Sequence, residues 1–151
     1  PNQMISKPMI YDEVALGLQV RGIDPDEIKE RVMKALKICG LYPFRNWPVS
    51  ALSFGQKKRV SIASILVMDP QILILDEPTR GVDVGAKKEI YSILSELAEQ
   101  GMALLVISSE LNEVINLCDR VLVLRKGELV AQLEGEEITK ESLLATSMGG
   151  N

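Results

Sequence analysis

The 151-residue chain predicts an α/β fold: a parallel sheet with helices, preceded by a small helical unit. Three observations predict it. Short apolar runs at Ile72–Leu75, Met102–Ile107 and Val121–Leu124 alternate with helical segments, which is the order of a parallel sheet with crossover helices. The first 50 residues carry apolar positions at helical spacing. The run Ile72–Leu75 ends abruptly in Asp76 and Glu77, at the strand end where open α/β sheets place their ligands.

In chain order, residues 1–7 are polar and without periodicity and read as a loop. Met9, Ile10, Val14, Ala15 and Leu18 mark a first helix. Asp24-Pro25-Asp26-Glu27 starts a second, with Asp24 as N-cap, Pro25 at the first position and Glu27 closing a capping box. Ile28, Val32, Ala35, Leu36 and Cys39 form its buried face, and Gly40 ends it. Tyr42–Pro48 is an irregular, aromatic-rich connection in which Trp47 is expected to pack under the loop. Residues 1–50 are thus one helical subdomain, and 51–151 belong to the sheet-containing core.

After Gly55, the segment Gln56–Met68 buries one face through Val60, Ile62, Ala63, Leu66 and Val67. Its first turn would offer backbone N–H groups, a positive dipole end and the Ser53 hydroxyl, which suits a phosphate. A plainly capped helix is the alternative. Ile72–Leu75 is continuous and apolar, so it is expected to be a strand buried on both faces. A helix follows from Ala86 to Gln100, with Ile90, Ile93, Leu94, Leu97 and Ala98 on one face and Gly101 as its stop. Met102–Ile107 is a second buried strand, Glu110–Cys118 a short helix, and Val121–Leu124 a third strand. Lys126-Gly127 turns the chain into a terminal hairpin, and Lys140–Met148 is a last helix.

Composition bounds the function. Hydrophobic content of 46% with 25% charged residues is that of an ordinary globular chain. A net charge of −4 supplies no overall basic field for nucleic acid or anionic lipid. No apolar run is long enough to span a membrane. Cys39 and Cys118 each sit in an apolar pattern and read as reduced thiols in a cytoplasmic protein. Histidine is absent.

The chemistry lies in two stretches. Leu52-Ser53-Phe54-Gly55-Gln56 opens a basic helix, and Ile72–Leu75 runs into Asp76-Glu77-Pro78-Thr79. One carboxylate there can hold magnesium, and the next can act on an attacking water. Together they resemble the signature and Walker B motifs of ATP-binding cassette ATPases, in matching order and spacing. Arg80-Gly81-Val82-Asp83-Val84-Gly85 resembles the D-loop of that family. Residues 1–70 are similar to vitamin- and cobalt-type cassettes, and residues from 72 onward to the second cassette of sugar importers.

The resemblance implies a partial P-loop NTPase (RecA-like) core and ATP with Mg2+ as cofactors. Asp76 would position the metal and Glu77 would polarise water. Ser53, Phe54, Gly55 and Gln56 would contact nucleotide held by a second cassette, and Asp83 would communicate across that dimer. The Q-loop glutamine of the family comes slightly earlier than these residues, and Gln3 is a candidate substitute for it. It also implies a permease partner at the inner face of the membrane, and no nucleic acid. Two departures bear on activity. No Gly-x-x-x-x-Gly-Lys-Ser/Thr occurs in these residues. Ser109 stands where most such ATPases carry a switch histidine, so hydrolysis at this half-site is in question. A non-catalytic fragment or engineered chimera is a second reading. An ABC-type ATPase of DNA repair or translation is a third, which the acidic charge disfavours. The family strand order also puts a P-loop strand between Met102–Ile107 and Val121–Leu124. In these residues the two are expected to pair directly, or to be completed by another copy.

Overall fold

The computed structural model describes residues 6–149. Its elements are α1 (Ile10–Val20), α2 (Pro25–Ile38), α3 (Phe54–Leu66), β1 (Ile72–Asp76), α4 (Val84–Glu99), β2 (Ala103–Ile107), α5 (Leu111–Leu117), β3 (Arg120–Arg125), β4 (Glu128–Glu134) and α6 (Lys140–Met148). They fall into two compact units. One comprises the residues up to Leu73 together with Pro78–Leu104, the other Ile74–Glu77 together with the residues from Leu105 onward.

In the first unit the helices form where the apolar spacing places them. Ile10, Val14, Ala15 and Leu18 of α1 and Ile28, Val32, Ala35 and Leu36 of α2 are buried. Asp24 caps α2 by accepting the Asp26 N–H at 2.9 Å. The expected capping box does not form. Glu27 instead pairs with Arg31 one turn on, an attraction along the helix that draws its carboxylate away from the N-cap. At the other end Gly40 has φ +63°. The Leu41 N–H reaches the Leu36 carbonyl at 2.7 Å and the Gly40 N–H the Lys37 carbonyl at 3.0 Å, a Schellman closure. Trp47 is corrected: it is 48% exposed, set edge-on to Phe44 at 5.1 Å rather than under its loop.

Arg59 of α3 fastens three helices of this unit. Its guanidinium donates to the Cys39 carbonyl at 3.1 Å, just past α2, and pairs with Glu89 of α4 at 3.1 Å. On α4, Ile90, Ile93, Leu94 and Leu97 are buried, while Ala98 is exposed.

β1 and β2 form a two-stranded sheet. The Ala103 N–H donates to the Gln71 carbonyl at 3.1 Å and the Glu77 N–H to the Ile107 carbonyl at 2.8 Å, so the strands run parallel. The expectation of strands buried on both faces is corrected. Leu73 and Leu75 are buried, but Ile72, Ile74, Leu105 and Ile107 are half-exposed or more. Among the described residues no element covers that row of side chains.

In the second unit β3 pairs with β4 in an antiparallel hairpin. Lys126 and Gly127 both have positive φ, as a two-residue type I′ turn requires. Val123, Ile138 and Leu143 form its core, with Leu111, Val114 and Ile115 packed on them. Direct pairing of Val121–Leu124 with Met102–Ile107 is not made. β2 takes β1, and β3 takes the strand its tight turn delivers, the pairing with the shortest loop to close.

Neither cysteine is in a disulfide; Cys39 is buried and Cys118 half-buried. Burial pushes the Cys39 thiol up from 9.0 to about 12, against a smaller opposing pull from the Arg59 charge. The folded value lies above the unfolded one. Between pH 9 and 12 the unfolded chain therefore releases a proton that the fold retains, and stability falls as pH rises. From this group the slope should approach ~1.4 kcal/mol per pH unit. Denaturant unfolding of wild type and Cys39→Ala across this window should show the extra slope in wild type alone; equal slopes would contradict the assignment.

Candidate functional site

The signature-like turn is built by reciprocal capping. The Ser53 hydroxyl accepts the Gln56 N–H at 3.2 Å, and the Gln56 side-chain oxygen accepts the Ser53 N–H at 2.8 Å. Of the two expectations for this helix start, the capped one is observed. Ser-x-x-Gln is itself a capping box, so both side chains are engaged within the turn.

Gly55 is buried, and the reason is a close approach. A Cβ at this position would stand 2.5 Å from the Ala86 Cβ and 3.3 Å from Val82 Cγ1. The start of α3 thus lies against the first turn of α4. Phe54, 41% exposed, lies over Gly81, whose φ is +76°. Asp83 caps α4 by accepting the Ala86 N–H at 3.0 Å. Phe54 and Gly55 are therefore brought against the 81–86 turn that holds Asp83.

The carboxylate pair lies in the other unit. Asp76 is exposed as the last residue of β1. Glu77 follows with φ +47°, a left-handed conformation uncommon for a residue with a side chain. Its N–H bonds the Ile107 carbonyl, and its Oε1 accepts the Ser109 N–H at 2.9 Å. Glu77 and Ser109 are brought together, and the contact is made by the Ser109 backbone. Next to it the Ser108 hydroxyl donates to Glu113 at 2.5 Å and accepts the Glu110 N–H at 3.0 Å. Glu113, which belongs to no motif of the sequence, is completely buried on α5. Its signal is a lone acid at an inward position of an apolar helix. Gln3 lies outside the described residues.

Among the described residues no three His, Cys, Asp or Glu side chains are grouped to hold a metal. An exposed Asp76 does fit magnesium, which takes one or two carboxylates and fills its remaining positions with water and phosphate oxygens. No helix among the described residues is long and apolar enough to cross a membrane.

A family model described as ABC transporter matches residues 3–80, just over half of the chain. The chain belongs to the ABC transporter family. It is 52% identical over 98% of its length to a sequence assigned as an ABC transporter ATP-binding protein in Clostridium perfringens, and 56% identical over 87% to another from Staphylococcus aureus. It spans about a quarter of those relatives, 27% and 23%. The cassette fold is that of cbiO1 from Clostridium perfringens, part of the transporter complex cbiONQ. The TM-score is 0.86 at 35% identity, covering 95% of this chain and 58% of that one. The ATP-binding cassette MJ1267 in its ADP conformation matches with a TM-score of 0.81 at 26% identity, over 95% of this chain and 61% of its own.

Gly55→Ala should force the start of α3 away from α4 and destabilise the cassette by roughly 1–3 kcal/mol, the usual range for overpacking. Ala86→Gly removes the opposing methyl. In a double-mutant cycle read by denaturant unfolding, the pair should cost less than the two single substitutions together. Additive losses would show that this contact does not set the helix spacing.

Proposed function

We propose that the chain is the signature- and Walker B-bearing part of an ATP-binding cassette that couples ATP binding and hydrolysis to import. The observation that carries this is the Glu77 carboxylate, placed one residue beyond the β1 strand end and held on the Ser109 N–H at 2.9 Å. A carboxylate so held has a defined direction from which to orient a water and accept its proton. Asp76 would hold magnesium, through water. Bound there, the ion would neutralise charge on the phosphate oxygens.

Ser53, Phe54, Gly55 and Gln56 would meet nucleotide bound by a second cassette or a second copy of the protein, and Asp83 would face that partner. The capping box keeps the Ser53–Gln56 turn rigid for this contact. A permease subunit at the cytoplasmic face of the membrane is the remaining partner. Support for it comes from the likeness to cbiO1, which is part of a transporter complex. The half-exposed apolar row on β1 and β2 suits coverage by the rest of a cassette, since the match reaches only 58% of cbiO1. Alignment over 98% of the chain to one relative supports a single lineage rather than a splice.

One observation favours a second reading, a site that binds nucleotide without turning it over. Ser109 has no imidazole to contact a γ-phosphate, and its side chain offers only a hydroxyl.

Calorimetric titration with MgATP tests the proposal. The 151 residues alone should show no saturation in the micromolar range and no turnover, because they contain no P-loop sequence. Supplying a P-loop-bearing cassette segment should bring binding into the range of about 1 μM to 1 mM typical of enzyme–substrate pairs. Tight binding by the 151 residues alone, or none with the P-loop supplied, would contradict it.

A further inference from the structure

The buried acid on α5 has no part in the reading above. Glu113 is 0% exposed. A carboxylate removed from water that completely must be satisfied by hydrogen bonds. The Ser108 hydroxyl supplies one at 2.5 Å. The same oxygen accepts the Glu110 N–H at 3.0 Å. Ser109 lies between these two residues, and its N–H is the group that donates to Glu77 at 2.9 Å. A single hydroxyl therefore clamps the backbone on both sides of the amide that holds the Glu77 carboxylate.

We propose that Ser108 and Glu113 are positioning residues for Glu77, acting through the Ser109 amide. The inference rests on Glu77 being the group that orients the attacking water. Three features support it. The clamp is anchored in the core, so its fixed end does not move with solvent-exposed side chains. Glu77 is tied to the same segment a second time, through its own N–H on the Ile107 carbonyl at 2.8 Å. The contact to Glu77 uses the Ser109 backbone, so it does not depend on which side chain stands at 109. A plain core-satisfying role for Glu113 would affect stability and leave the reaction alone.

The test uses the complete protein, with MgATP turnover and residue-resolved hydrogen exchange as readouts. Ser108→Ala should lower kcat about tenfold with KM held within about twofold, as expected when a reacting group is misplaced and binding is not. Ser108→Thr keeps the hydroxyl and should restore kcat to within about threefold. Glu113→Gln keeps an acceptor for that hydroxyl and should cost less than Ser108→Ala. In a Glu77→Gln background Ser108→Ala should add no further loss, because the group it positions is already gone. The Ser109 amide should exchange about tenfold faster in Ser108→Ala. Wild-type kcat and exchange in Ser108→Ala would overturn the proposal, as would an undiminished loss in the Glu77→Gln background. If the complete protein does not hydrolyse ATP, the reading of Glu77 fails and the exchange rate alone decides the clamp. Faster exchange in Ser108→Ala then upholds it, and unchanged exchange refutes it.

Discussion

Glu77 holds a backbone conformation that a residue with a Cβ avoids, at a cost of roughly 1–2 kcal/mol. Its φ of +47° turns the chain out of β1, so the carboxylate does not continue the strand's alternation of faces. Two contacts with the segment after β2 hold it: its N–H on the Ile107 carbonyl and its carboxylate on the Ser109 N–H. Strain of this kind persists only where the surroundings over-determine it, and it concentrates at functional sites. The parallel pairing of β1 with β2 is what brings Ile107 and Ser109 to this residue. The sheet and the turn after β2 therefore converge on one placement.

The signature-like turn is organised by a different constraint, contact between backbones. Gly55 allows the start of α3 to meet Ala86 and Val82 with no room for a methyl. The reciprocal bonds of Ser53 and Gln56 then hold the helix start in shape. Arg59, one turn further along α3, links the same helix to the end of α2 and to Glu89 of α4. Together these contacts fix the start of α3 against α2 and α4 within the first unit.

Element type and order were legible because each rests on local rules. Asp24-Pro25 starts α2, Gly40 ends it, Lys126-Gly127 makes the hairpin, and the 3.6-residue period marks Ile90 to Leu97. What was misread depends on groups distant in sequence or absent from it. Ile72, Ile74, Leu105 and Ile107 look like two-sided core, yet whether a strand face is covered depends on other elements, and none of the described residues covers this one. Glu27 could close a capping box or pair with Arg31, and the pattern alone does not choose. At the site, Asp76 and Glu77 announced themselves by standing at the end of an apolar run. The role of the Ser109 backbone could not be read, since an amide proton has no sequence signal. At Ser53 the pattern left a phosphate-binding helix start and a plainly capped one open, because Ser-x-x-Gln serves as a capping box as well as part of a family motif.

The claim at the centre of this account is that the Glu77 carboxylate acts on water in a complete cassette. Single-turnover hydrolysis of MgATP by the complete protein, wild type against Glu77→Gln, tests it most directly. The account predicts a rate lower by about 10²–10⁴ in the variant, the usual contribution of a positioned general base, with nucleotide affinity retained. Hydrolysis by Glu77→Gln at the wild-type rate would contradict it.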